Sequence, residues 1–222
     1  MKLNLLLAGV AIATVSLVAS AANAGVTYST DAGAFGALGT ITQTFNFDSY
    51  PTGNFAFPGD PLTIGDVTFS TGSNLIVGAG LYGNGRNAIA NNYWTPLPGS
   101  IAGTHDLFGF DLTLGGEPSQ IDVTVTTNLG SYLFSDVQPT YNTGTFSFEG
   151  FQAGPGEYFT GFNIVADAGS YSLPLTTDFE LGTAGGAVPE PATWAMMLVG
   201  VGAIGSSIRA SRRKQVSAAA TA

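Results

Sequence analysis

A single histidine, a scatter of carboxylates and a few aromatic residues carry whatever chemistry the central part of this chain can perform. His105 stands beside Asp106, an order in which a carboxylate can orient an imidazole acting as general base. A hydrolytic triad also needs a nucleophile, and no Gly-x-Ser-x-Gly elbow occurs in the sequence. His105 is therefore expected to be a loop histidine hydrogen-bonded to backbone. Paired carboxylates are the machinery of glycoside hydrolysis. Fourteen acids between residues 25 and 187 produce such pairs by chance, so no catalytic residue is assigned and the chain reads as a non-enzyme. Hard cations take carboxylate and carbonyl oxygens. Asp48 and Asp178 are thus a candidate calcium pair, calcium being the one cofactor for which ligands can be named. The alternative is that these acids are solvated and keep a secreted domain soluble.

Tyr82, Tyr93 and Trp94 fall in a glycine- and asparagine-rich stretch, 78–99, beside Arg86, Asn87, Asn91 and Asn92. Sugar rings stack on aromatic faces while their hydroxyls seek amides, so these three aromatics are the candidate glycan-binding residues. The alternative is a long loop folded back with its rings on the core. Two matches to G-x-G-x-x-G, at 78–83 and 200–205, lack the strand-before, helix-after context of a dinucleotide site. The absence of cysteine excludes disulfides, thiolate metal sites and cysteine nucleophiles.

The elements that would hold these residues read as β throughout. Ile121, Val123 and Val125 alternate with polar partners over 120–126, the period of a half-buried strand. Further strands are predicted over 41–47, 66–70, 74–77, 107–114, 131–135, 145–149, 158–165 and 176–181, separated by Gly/Pro/Asn turn signals. No amphipathic helix of three turns is evident between residues 25 and 187. About nine short strands at this spacing predict an all-β fold, a single antiparallel β-sandwich of jelly-roll or immunoglobulin-like type.

Both ends differ from this domain. Lys2 is the only charge in the first thirty residues and precedes an apolar run, Leu5 to Val18, that ends in small residues with Ala22 and Ala24 in Ala-x-Ala spacing. Residues 1–24 are read as a signal peptide cut after Ala24 by signal peptidase during export. Residues 183–188 read as a flexible linker following a sandwich over 25–182. Then come Pro189, Glu190 and Pro191, Trp194, an apolar stretch to Ile208, and the cluster Arg209, Arg212, Arg213 and Lys214. An apolar segment of this length is at the lower limit for a transmembrane helix. The basic cluster would stay cytoplasmic and Trp194 would sit at the outer interface.

Pro189-Glu190-Pro191, Trp194, the apolar run and the arginine cluster, in that order, resemble the PEP-CTERM sorting signal of Gram-negative bacteria over residues 189–214. The short extension 215–222 departs from the usual pattern. The resemblance implies an exosortase-type membrane peptidase as partner, cutting near Pro189-Glu190-Pro191. It also implies export across the inner membrane, a precursor anchored by its C-terminal helix, and a mature form at the cell surface, often with exopolysaccharide. The pieces 45–48, 105–112 and 178–182 resemble jelly-roll domains found ahead of such tails, which implies that the first and last of these pieces are neighbouring strands.

Of six basic residues only Arg86 lies between residues 25 and 187, so that region carries a net charge of −13 against −9 for the whole chain. Nucleic acid is excluded as a partner, because phosphate contacts need basic residues. The function expected is that of an exported, surface-sorted, non-enzymatic matrix or exopolysaccharide-associated protein that binds glycan. A secreted glycan hydrolase and a self-assembling structural subunit are the alternatives.

Overall fold

The structure, a computed structural model, describes residues 25–92, 96–141, 144–167 and 171–185, together with Val201. In chain order its elements are β1 (Thr27–Ser29), α1 (Ala32–Gly36), β2 (Gly39–Phe45), β3 (Phe55–Ala56), β4 (Leu62–Ile64), β5 (Val67–Phe69), β6 (Asn74–Val77) and β7 (Ala88–Asn91). There follow β8 (Leu97–Ile101), β9 (Leu107–Gly116), β10 (Ile121–Thr127), β11 (Ser131–Val137), β12 (Thr140–Tyr141), β13 (Ser147–Gln152), β14 (Phe159–Ala166) and β15 (Ser172–Ala184). The larger sheet has the order β1-β13-β9-β15-β7-β6-β3, with β2 also on β15 and β12 on β9; the smaller is β11-β10-β14-β8-β5-β4. Pairing is antiparallel except for the two-residue contact of β12 with β9. The expected all-β architecture is therefore present as two antiparallel sheets.

The sheets face one another across a phenylalanine-rich core. In β10, Ile121, Val123 and Val125 are buried while Asp122, Thr124 and Thr126 are only partly so, as alternation requires. Phe108 and Phe110 of β9 and Phe179 of β15 meet Phe162 of β14 with ring centroids 5.1–6.5 Å apart. Phe69 of β5 lies edge-on to Phe179 at 5.3 Å. Each fully buried ring stabilises the fold by about 2–3 kcal/mol through area removed from water.

The larger sheet is also covered on its outer face, so β9 is buried over nearly its whole length. Small residues make the room. A Cβ at Gly150 would lie 2.6 Å from Phe148 and 2.7 Å from Phe35, so that glycine lets the short helix α1 seat Phe35 on the sheet. Asp31 caps α1, accepting from the Gly33 and Ala34 amides. Beyond α1, Leu75, Val77, Ala88, Ala90, Leu173 and Leu175 form a second apolar cluster.

Strand β15 serves both cores because it changes face partway. Leu173 and Leu175 belong to the outer cluster, whereas Phe179 and Leu181 belong to the inter-sheet core. The register against β9 shifts between Thr177 and Glu180, and Asp178 there has φ 45. A bulge of this kind re-aims the side chains that follow it. The neighbouring-strand expectation holds: Phe45 of β2 pairs with Phe179 of β15. Thr183 and Ala184, read from sequence as linker, are the last two residues of β15, paired with Thr40 and Gly39.

Candidate functional site

The aromatic residues singled out in the sequence converge only in part. After β6 the chain makes a one-turn 3₁₀ helix, Leu81–Gly83, entered through Gly80 at φ 92. No long helix follows these glycines, so the dinucleotide context is absent here. Tyr82 sits in this turn at φ 47, a conformation that costs a non-glycine residue about 1 kcal/mol. Its ring rests against Gly115, where a Cβ would lie 2.9 Å from the Tyr82 Cβ. The result is an open cleft of about 160 Å³ lined by Phe55, Phe57, Leu75, Tyr82, Asn92 and Leu173. The Phe55 and Tyr82 rings are 6.1 Å apart, and Phe57 is 64% exposed. Tyr93 and Trp94 lie outside the described residues.

Asn92 lines this cleft, but Asn87 and Asn91 do not face it. Asn87 is buried; its Nδ2 donates to the Phe47 and Tyr50 carbonyls at 3.0 and 2.6 Å, and its Oδ1 accepts from the Ala79 amide. Asn91 is likewise buried and donates to the Pro96 carbonyl. These two side chains tie the loop down instead of presenting donors to solvent. Phe55 and Phe57 are not among the residues that the sequence pattern singles out. Their signal, two aromatics alternating in Phe55-Ala56-Phe57 between turns, is a short one that only the edge position of β3 makes readable.

Arg86 is the centre of a second arrangement. Its guanidinium donates to the carboxylates of Asp111 on β9 and Asp178 on β15, and lies 4.9 Å from the Phe146 ring centroid. Asp178 and Glu180 line a polar groove of about 370 Å³ with Thr44, Phe45 and Asn46. Burial, reinforced by the nearby Asp111 charge, pushes the Glu180 carboxyl above its usual range. Asp48 is exposed, with its amide donating to Asn46 Oδ1 at 3.1 Å. The candidate calcium pair is thus divided: Asp178 faces Arg86 and Asp48 faces solvent. Among the described residues no group of three or more His, Asp or Glu side chains could hold a metal ion.

Two buried acids close other junctions. Glu149 accepts from the Tyr28 hydroxyl; burial raises its pKa, a rise that the Tyr28 hydrogen bond partly offsets. The Tyr28 hydroxyl is itself pushed up, first by burial and then by Glu149. Glu157 accepts from the Thr127 hydroxyl at 2.8 Å and from the Tyr132 hydroxyl at 2.9 Å.

His105 meets Asp66 and not its sequence neighbour. His105 Nε2 is 2.8 Å from Asp66 Oδ2, and Gln43 Nε2 donates to the same oxygen. Hydrogen bonds from His105 and then Gln43 hold Asp66 below the ordinary carboxylate range. Asp106 instead accepts the amide of Ala184. The sequence reading of a hydrogen-bonded loop histidine has the backbone as its partner; the structure supplies a carboxylate 39 positions away.

Ala22, Ala24, Pro189, Glu190, Pro191, Trp194, Arg209, Arg212 and Arg213 lie outside the described residues. Among the described residues, no helix is long and apolar enough to cross a membrane. No curated protein and no solved structure matches the chain. Residues 187–214 match the family model of the PEP-CTERM protein-sorting motif. Such proteins are processed by exosortase, a membrane protein, and the motif implies export and anchoring through the C-terminal region. On that match, the chain carries a PEP-CTERM sorting motif and is an exosortase-sorted exported protein.

Proposed function

We propose that this sorted protein is a non-enzymatic polysaccharide-binding component of the extracellular matrix, and that the cleft of Phe55, Phe57 and Tyr82 is its sugar-binding surface. The observation that carries the reading is the exposure of Phe57 and Tyr82 at the mouth of this cleft. Aromatic faces left in water next to an amide such as Asn92 suit a sugar ring, whose CH groups stack while its hydroxyls hydrogen-bond. The strained backbone of Tyr82 fits this reading, since strain persists where surrounding structure holds a side chain for a purpose. A binding role also fits the carboxylates. Asp111 and Asp178 face Arg86, Glu149 faces Tyr28, Glu157 faces Tyr132 and Thr127, and Asp66 faces His105. Of these acids Asp178 also lines a groove, beside Glu180, and there it is ion-paired with Arg86; the others are hydrogen-bonded into the fold, unlike the pair of free carboxyls a hydrolase requires.

The test is retention of the exported protein on immobilised exopolysaccharide and on a panel of neutral and acidic glycans. Tyr82→Ala and Phe57→Ala should each weaken retention by about tenfold, since each removes one stacking ring from a small site, with unchanged thermal unfolding. Retention equal to wild type in both variants, or release of reducing ends from the polymer, would remove the reading.

A further inference from the structure

The sandwich is fastened at the end where the sorting motif leaves it. The Ala184 amide donates to the Asp106 carboxylate, the Asp106 amide to the Gly182 carbonyl at 3.1 Å, and the Gly185 amide to the Leu38 carbonyl at 2.8 Å. Gly39 permits the approach, because a Cβ there would strike the Thr183 carbonyl. Backbone hydrogen bonds to the sandwich therefore reach Gly185, and the sorting-motif match opens two residues later, at Ala187. At about 3.6 Å per fully extended residue, Pro189 lies no more than about 14 Å from Gly185. A peptidase cleft engaging Pro189-Glu190-Pro191 works within that radius of a folded domain. The end of the sandwich must then lie against the enzyme.

That end has a surface suited to contact. A groove of about 180 Å³ there is lined by Asp106, Gln152, Pro155 and Gly185 among others. Beside it stands Leu129, 62% exposed, in a loop tied to the same region by the Asn128 amide on the Tyr158 carbonyl. The chain also enters the fold here, Thr27 being paired with Gln152.

We propose that this end face is the docking surface for the membrane-embedded exosortase that receives residues 187–214. The proposal rests on the sorting motif and on cleavage near Pro189. A lipid surface is the less suitable occupant, since anionic headgroups repel a domain carrying −13. Docking would also fix the orientation of the domain. From Leu173 in the aromatic cleft to Ala184, β15 covers about 36 Å at 3.3 Å per residue, so the cleft points away from the membrane.

The experiment uses the full-length precursor in its own host with an epitope-tagged exosortase. A photocrosslinking residue is placed at position 129, 155 or 57, and release is followed by pulse-chase. Crosslinks from 129 and 155 to the tagged enzyme, and none from 57, are expected. The double variant Leu129→Arg, Pro155→Arg should slow release about tenfold, the loss of one interface anchor. About ten Gly/Ser residues inserted after Gly185 should make release indifferent to that change. Crosslinks to lipid alone, or wild-type release by the arginine variant, would overturn the docking surface. If release persists without exosortase, the sorting reading itself fails; if release requires exosortase and the crosslinks are missing, docking alone fails.

Discussion

Arg86→Met removes the one basic side chain between residues 25 and 187 while keeping most of its length and apolar stem. The side chain is 38% exposed and its partners Asp111 and Asp178 are 21% and 33% exposed, so these pairs act between the bulk-water and buried limits. Two charge-assisted hydrogen bonds, discounted for that exposure, contribute about 1 kcal/mol each. The guanidinium against Phe146 adds about 0.5 kcal/mol. Without Arg86, two carboxylates face the same space with only each other and the raised Glu180 nearby, and Asp178 keeps its positive φ with no partner to hold it. That residual repulsion costs about 1 kcal/mol more.

The expected loss is therefore about 3–4 kcal/mol, a fall in Tm of roughly 10 °C for a domain of this size. Urea unfolding followed by intrinsic fluorescence at neutral pH measures it. The double-mutant cycle with Asp178→Asn isolates the pair, and the two changes should couple by at least about 1 kcal/mol, the double variant losing less than the sum. Molar salt should narrow the gap between wild type and variant, because part of it is screened charge. A loss below about 1 kcal/mol, or strict additivity in the cycle, would show that Arg86 does not hold the bulge and would refute the reasoning.

Glu149→Gln should stabilise the fold at neutral pH: a carboxyl whose native pKa is raised favours folding only while protonated, below its unfolded value near 4.5, and that contribution is lost as pH rises through the native value. The gain over wild type should vanish by about pH 4, and thermal melts across that window read it directly. Asp66 has the opposite sign. Its lowered native pKa adds stability above its unfolded value of 3.8 that is lost as pH falls further, so Asp66→Asn should flatten the acid limb of the same melts. Gly150→Ala should cost roughly 1–3 kcal/mol by driving a methyl into Phe35 and Phe148, and hydrogen exchange should show α1 opening before the inter-sheet core; protection of α1 equal to wild type would count against the packing described.

The strands legible in the sequence carry either a clean alternation over one buried face, such as Ile121–Thr127, or an apolar run buried on both faces, such as Leu75-Ile76-Val77. Six of the fifteen are not, and the reasons are physical. β8 contains Pro98 and Gly99, residues that argue against a strand; yet Gly99 is required because Phe162 packs over it. β3 and β12 are two residues each, below any periodic signal. β7 reads Ala-Ile-Ala-Asn because its outer face lies under a second apolar cluster. The site is less legible than the fold. Tyr82 stands out for the right chemistry, but Asn87 and Asn91 stand out beside it and prove to be backbone ties, because an asparagine's type does not reveal which way it points. The Arg86 contacts join positions 25 and 92 residues apart, and no local pattern encodes them.

The placement of charge bears on what the cleft can bind. Among the described residues of the fold, the only arginine or lysine is Arg86, whose charge is already paired with Asp111 and Asp178, so it offers little attraction to an acidic polymer. Asp31, Asp48, Asp60 and Asp122 remain partly or fully exposed, and their field repels uronic acids, sulfated sugars and phosphate alike. On the proposed reading, a polysaccharide held at Phe57 and Tyr82 is expected to be largely uncharged, recognised by stacking and hydroxyl hydrogen bonds. Such recognition changes little with ionic strength, whereas capture of an acidic polymer would weaken steeply as salt rises. Asp178, the partner of Arg86 on β15, lies within the register shift between Thr177 and Glu180, past which Phe179 belongs to the inter-sheet core while Leu173 stays on the outer face. The ion-paired bulge thus stands between Leu173 at the cleft and the part of β15 that leads toward the sorting motif.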